Sequence, residues 1–170
     1  INDLMFMGAI PMYLSLALIL EEGLPIETLR RVIGSIRTAA MTCEVSVVTG
    51  DTKVVPRGMA DQLFITMTGI GRLRHGIALD PEMVQPGDAI LVSGTIGDHG
   101  LTIMATREGF AFGGELCSDT ASIQELVELL LSRGMAIRWM RDPTRGGVSA
   151  VLHELSEAAN VTIEINETAL

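Results

Sequence analysis

The most prominent pattern in the chain is a run of 17 positions without a charge, Leu4 to Leu20. Gly8 and Pro11 interrupt it, and it falls short of the roughly 20 apolar residues that a membrane-spanning helix needs. No basic segment precedes it; Asn2-Asp3 stands where a targeting signal would carry positive charge. The run therefore predicts two buried pieces, a short helix from about Asp3 to Met7 and a strand from about Met12 to Leu20. Glu21-Glu22-Gly23 turns the chain, and Pro25 suits a first helical turn. Behind it Ile26, Leu29, Val32, Ile33 and Ile36 fall at helical spacing. The β-branched run Val45 to Thr49 predicts a strand that stops at Gly50-Asp51. Val54-Val55 and Leu63 to Thr68 predict further strands, with Pro56-Arg57-Gly58 as a turn.

After Gly71 the texture changes. Asp80-Pro81 and Gln85-Pro86-Gly87-Asp88 are turn chemistry, and a domain boundary falls near Ile77 to Asp80, giving domains of residues 1–78 and 79–170. Ala89 to Ser93 reads as a strand feeding the glycine-rich turn Gly94 to Gly100, followed by a helix from about Leu101 to Arg107. Ser122 to Arg133 is amphipathic, with Ile123, Leu126, Val127 and Leu130 on the apolar side and Gly134 beyond its end. Ile137 to Met140 reads as a strand. Arg141 to Gly147 opens a helix with Val148, Val151, Leu152 and Leu155 on one face, and Val161 to Ile165 closes as a strand. Helices and strands mix in an α+β pattern.

With 170 residues, 48% apolar and 19% charged, the chain can bury a core and is not disordered. Its net charge of −9 excludes a nucleic-acid binder held by phosphate contacts, which needs a basic face. The imbalance lies entirely after Ile77, where five cations face fourteen carboxylates. Lys53 is the only lysine beside eleven arginines. Arginine stays protonated, so a lone lysine suits a task that guanidinium cannot perform. Cys43 and Cys117 are isolated thiols without zinc-ligand spacing, which fits a reducing, cytoplasmic setting.

Three polar islands sit at the ends of apolar elements. Asn2-Asp3 heads a helix, where a carboxylate either caps backbone N–H groups or faces Mg²⁺. Thr49-Gly50-Asp51-Thr52-Lys53 follows a buried strand. It is either a polar hairpin turn or a place where Asp51 holds Mg²⁺ and Lys53 meets a phosphate or accepts a proton. Arg141-Asp142-Pro143-Thr144-Arg145-Gly146-Gly147 places two glycines at a helix start. Its readings are a capped structural turn or an anion site with the helix dipole behind it. Gly94 to Gly100 is a weaker phosphate candidate, neither a Walker A loop nor a GxGxxG fingerprint. His153 reads as a solvated surface residue, and no Ser/His/Asp set is evident.

These islands carry a resemblance. Met7-Gly8-Ala9, Leu20-Glu21-Glu22-Gly23, Val48-Thr49-Gly50-Asp51-Thr52-Lys53-Val54-Val55, Val92 to Gly100 and Asp142-Pro143-Thr144-Arg145-Gly146-Gly147 together resemble the HypE-type carbamoyl dehydratases of nickel–iron hydrogenase maturation. Their relatives are aminoimidazole ribonucleotide synthetase, selenophosphate synthetase and thiamine-monophosphate kinase. The resemblance implies a two-domain fold of the aminoimidazole ribonucleotide synthetase type, with the first domain forming a homodimer and ATP held between domains. It implies an ATP-dependent dehydration of an S-carbamoyl cysteine to a thiocyanate, the source of cyanide for the hydrogenase iron. Asp3 and Asp51 would then hold Mg²⁺; Asn2, Asp51, Thr52, Asp142, Thr144, Arg145, Gly146 and Gly147 would bind ATP and its phosphates; Lys53 would be catalytic. The implied partners are a HypF-type carbamoyltransferase and the HypC/HypD-type iron-delivery proteins, with no nucleic acid and no membrane.

HypE is about twice this length, so both domains are expected to be incomplete here. A glycine-rich segment and an acidic strand would precede Ile1, and a cysteine-bearing tail would lie beyond Leu170. Glu44 stands where the family usually has glycine. The expectation is an internal fragment, inactive alone, of an active parent. The alternatives are a non-catalytic dimerisation or docking module and another ATP-dependent enzyme of the same fold.

Overall fold

A computed structural model describes residues 1–110, 116–166 and 168. The chain divides into two compact units, Ile1–Ile77 and Ala78–Leu170.

The first unit runs α1 (Asn2–Phe6), β1 (Ala9–Glu21), α2 (Ile26–Thr42), β2 (Ser46–Val55) and β3 (Leu63–Leu73). The uncharged run becomes the central strand of a three-stranded sheet of order β2-β1-β3, parallel to β2 and antiparallel to β3. Alternation along β1 explains its composition. Leu14 and Leu18 are buried, while Tyr13, Ala17 and Ile19 on the alternate positions are exposed; the register shift between Pro11 and Tyr13 changes the phase, so Ala9 and Pro11 before it are buried as well. On the buried side Leu14 packs with Cys43 and Val45, and Ile1 adds to this cluster. Met5 of α1 is fully buried. In α2 the stripe Leu29, Val32, Ile36 and Ala40 turns inward, whereas Ile26 and Ile33, expected on that face, are exposed. Pro25 is the N-cap rather than a first-turn residue. Its carbonyl accepts from the Thr28 and Leu29 N–H groups, a position that needs no proline N–H.

Two further expectations change. The strand predicted to stop at Thr49 continues to Val55, absorbing Gly50-Asp51 and the separate Val54-Val55 piece. Pairing with β1 across its whole length overrides the low strand propensity of Gly and Asp. β2 is also exposed rather than buried, as an edge strand. A bulge at Val48 interrupts the ladder, because Leu14 pairs with Val47 while the next residue, Ser15, pairs with Thr49.

In the second unit a 3₁₀ turn (Pro81–Met83) precedes α3 (Asp98–Glu108), α4 (Gln124–Ser132) and α5 (Gly147–Ala159). Val127 of α4 and Leu155 of α5 are buried; Val148, Val151 and Leu152 are half-buried, while Leu126, expected inward, is exposed. The segments Ala89–Ser93, Ile137–Met140 and Val161–Ile165 are irregular, not strands. A strand exists only with a ladder partner, and among the described residues these segments have no ladder. Ile137–Met140 is tied instead by isolated bonds, the Asp80 N–H to the Arg138 carbonyl at 2.9 Å and the Arg138–Asp88 ion pair at 2.8 Å.

Candidate functional site

The chemistry-bearing residues of the first unit lie on its edge strand. Thr49, Asp51 and Lys53 register with Ser15, Ala17 and Ile19 of β1, which in turn register with Thr68, Thr66 and Phe64 of β3. Registered positions share a face, so Thr49, Asp51 and Lys53 stand on the side of the sheet opposite Leu14 and Leu18. All three are exposed. The pentapeptide is therefore a strand and not a hairpin turn. Its glycine serves close approach and not a positive φ: a β-carbon on Gly50 would clash with the Leu16 carbonyl oxygen. Asp51 Oδ1 accepts from the Thr52 N–H at 2.8 Å, and alternation turns the Thr52 side chain to the other face.

The helix α1, which carries Asn2 and Asp3, packs on β1 and β3. Ile1 is its N-cap without a side-chain cap bond, which removes the capping reading of the two open for this island; Asp3 sits exposed in the first turn.

In the second unit Gly146 caps α5 in the left-handed conformation (φ 78°), and Gly147 follows at φ 62°. A β-carbon on Gly146 would lie 2.6 Å from that of Ala150. The tight entry is thus a requirement for glycine itself. No side chain caps this helix, and the Gly147 N–H donates to the Thr144 carbonyl at 3.1 Å. Thr144 and Arg145 are exposed and Asp142 is half-buried. Arg141 pairs with Glu154 at 3.7 Å, and His153, on the surface as expected, pairs with Glu157 at 3.6 Å. In the Gly94–Gly100 loop the Thr95 hydroxyl donates to Asp98, while His99 Nδ1 lies 2.9 Å from Ser118 Oγ.

Sequence reasoning missed Glu21, read only as a turn residue. Its carboxylate accepts from the N–H groups of Gly58 and Gln62, 37 and 41 positions away. The Gly58 N–H does most to hold this carboxyl below the usual glutamate range; Gln62 adds to it, partial desolvation opposes it, and Arg57 contributes charge. Neither partner is visible in a local pattern.

Asp51 offers an exposed carboxylate, the hard oxygen donor that Mg²⁺ prefers. At Gly146 the room that a β-carbon would take is already filled by Ala150. Among the described residues no three carboxylate, imidazole or thiol groups gather around one point.

Comparison with known proteins bears on both units. The N-terminal domain family of AIR synthase related proteins matches residues 1–73, and the corresponding C-terminal domain family matches residues 85–170. The chain belongs to the AIR synthase related proteins, and the α+β expectation stands. Within that family it is similar to carbamoyl dehydratase HypE of Rhizobium leguminosarum bv. viciae, 44% identical over all of this chain and 49% of that protein. The crystal structure of a HypE–HypF complex superposes with a TM-score of 0.90 at 45% identity, covering 94% of this chain and 52% of that one. A HypE crystal structure in complex with ATP gives 0.89 at 48% identity, covering 93% and 47%. The resemblance carried by the motifs therefore extends over the whole chain. The chain spans about half the length of the curated relatives it matches.

Proposed function

We propose that this chain is the nucleotide-handling part of an ATP-dependent carbamoyl dehydratase acting in hydrogenase maturation. The observation that carries the reading is the identity of 48% to a HypE solved with ATP, together with Asp51 and Lys53 on one exposed face of the sheet. The whole protein would use ATP to phosphorylate the carboxamide oxygen of an S-carbamoyl cysteine. Loss of that oxygen as phosphate and of both nitrogen protons leaves a thiocyanate, ADP and phosphate. Lys53 would offset charge on the transferring phosphoryl group. Thr144, Arg145 and the paired glycines would bind phosphate oxygens through hydroxyl, guanidinium and N–H donors. Asp51 and Asp3 would hold Mg²⁺, with Asn2 supporting them, and the metal would neutralise phosphate charge there. Thr52 and, in the second unit, Asp142 belong to the proposed ATP-binding residues.

The domain roles belong to the same proposal: residues 1–78 dimerise and bind ATP, and residues 79–170 begin the second domain. A HypF-type carbamoyltransferase is the proposed partner, supported by the HypE–HypF complex among the similar structures, with HypC/HypD-type proteins receiving the product. Cys43 and Cys117, which lack zinc-ligand spacing, support a reducing, cytoplasmic setting, and no helix among the described residues is long and apolar enough to cross a membrane.

The test is mass spectrometry of the full-length protein carrying this chain after S-carbamoylation of a cysteine. ATP should remove the mass of one water from the modified peptide. A carbamoyl group that persists with ATP overturns the proposal.

A further inference from the structure

One residue joins the ends of all three strands in the first unit. Glu21 closes β1 and registers with Val55, the last residue of β2. Its own N–H donates to the Gln62 carbonyl at 2.8 Å, immediately before β3 begins. The next N–H, of Glu22, donates to the Val55 carbonyl at 2.9 Å. Its carboxylate then accepts from Gly58 and, at 2.9 Å, from Gln62.

The geometry of these donors is unusual. Gly58 has φ 83° and Gln62 has φ 64°, so both left-handed residues of the β2–β3 connection direct their N–H at one carboxylate. Gln62 lacks the freedom of glycine, and such a conformation persists only where the surroundings enforce it. Arg57 completes the arrangement. Its Nη2 lies 2.7 Å from where a β-carbon on Gly23 would sit, so the guanidinium covers the turn that follows β1.

β2 needs this support because it is an edge strand exposed along nearly its whole length, with little buried side-chain surface to hold it. Its far end is bulged at Val48. The end that carries Asp51 and Lys53 is held by the ladder to β1 and by whatever fixes the connection after Val55.

We propose that Glu21 is a positioning residue: by clamping the Pro56–Gln62 connection it holds the Lys53-bearing end of β2 in register. The proposal rests on the reading of Asp51 and Lys53 as nucleotide-facing only for its catalytic consequence. The positional claim involves no nucleotide.

The experiment is backbone NMR with amide hydrogen exchange on the full-length protein, wild type against Glu21→Gln and Glu21→Ala. Glutamine keeps the shape and one acceptor oxygen, and so serves as the conservative variant. Exchange of the 51–55 amides should speed up about tenfold in Glu21→Ala and less in Glu21→Gln, since charged acceptors make the stronger bonds. The β1–β3 ladder around Leu16 and Met67 should stay protected, which shows the unit still folded. In the wild type the Gly58 and Gln62 amide shifts should move together with acid at a midpoint below the ordinary glutamate range. Glu22, Lys53, Arg57 and Asp61 are the charged neighbours on these strand ends, and Arg57 acts on the Glu21 charge. Neither amide should show that transition in Glu21→Gln.

Unchanged exchange at 51–55 in Glu21→Ala overturns the proposal. So does global loss of protection, which would make Glu21 a general stabiliser, and so do Gly58 and Gln62 shifts insensitive to Glu21. Loss of Mg-ATP binding on Asp51→Asn tests the nucleotide reading separately, and its failure would leave the exchange result standing.

Discussion

A β-carbon placed on Gly50 would overlap the carbonyl oxygen of Leu16, its registered partner on the central strand. Alanine cannot occupy that position unless the backbone of β1 or β2 shifts. Gly50→Ala should therefore destabilise the first unit by about 1–3 kcal/mol, the usual range for overpacking. Tyr13, the only tyrosine, registers with Ser46 at the start of the same ladder and reports this unit in urea unfolding. A Gly50→Ala protein with an unshifted Tyr13 transition would show that the edge strand gives way freely.

The proposed site roles predict a split between two variants of the full-length protein. Lys53→Ala should lower carbamoyl-dependent ATP cleavage about 100- to 1000-fold, as loss of one preorganised charge-stabilising group does. It should leave the oligomeric mass unchanged, because Lys53 is exposed and its registered partner on β1 is Ile19. Asp51→Asn should instead weaken Mg-ATP binding by calorimetry, the carboxylate charge being what a divalent cation requires. Undiminished turnover in Lys53→Ala removes the lysine from the reaction.

The helix entry in the second unit allows a comparison of adjacent glycines. Both are left-handed, so alanine at either costs about 1–2 kcal/mol. Only at Gly146 would the new β-carbon also meet that of Ala150, at 2.6 Å, whereas among the described residues nothing lies within 4 Å at Gly147. Gly146→Ala should thus be the more destabilising change. Trp139, the only tryptophan and half-buried in this unit, follows the transition. If phosphate binds at this turn, Gly147→Ala should still weaken ATP binding while Trp139 unfolding moves little further.

The parts of this fold legible beforehand are those written in local periodicity. An uncharged run with alternating burial becomes β1, and the spacing of Leu29, Val32 and Ile36 becomes α2. What stayed hidden depends on partners far along the chain. Gly50-Asp51 is turn chemistry by itself, and only the ladder to Leu16 and Ala17 makes it strand. Glu21 beside Glu22 and Gly23 looks like a surface turn until Gly58 and Gln62 arrive to donate to it. The reverse error affects Ala89–Ser93, Ile137–Met140 and Val161–Ile165, where apolar content alone suggested strands that have no ladder among the described residues. The lysine count drew attention to Lys53, yet no pattern revealed that Asp51 and Lys53 share a face while Thr52 between them does not.

The turn at Gln85–Asp88 is tied to the segment before Arg141 by one carboxylate, and this makes the second unit acid-sensitive. Asp88 Oδ2 accepts from the Gln85 N–H at 2.8 Å and pairs with Arg138 Nε at 2.8 Å. The Gln85 N–H does most to hold the Asp88 carboxyl below the ordinary aspartate value; partial desolvation opposes it, and Arg138 adds to the lowering. A carboxyl whose folded pKa is depressed stabilises the fold above its unfolded pKa, and that contribution is lost as pH falls through the folded value. Unfolding followed by Trp139, the neighbour of Arg138, should therefore show stability falling with acid below the ordinary aspartate range. Asp88→Asn should be less stable than wild type at neutral pH, and the gap should close as pH drops, since protonation does to the wild type what the substitution has already done. A gap constant from neutral to acid pH would mean that the carboxylate charge contributes nothing to this tie, and that the side-chain carbonyl of asparagine serves Gln85 and Arg138 equally well.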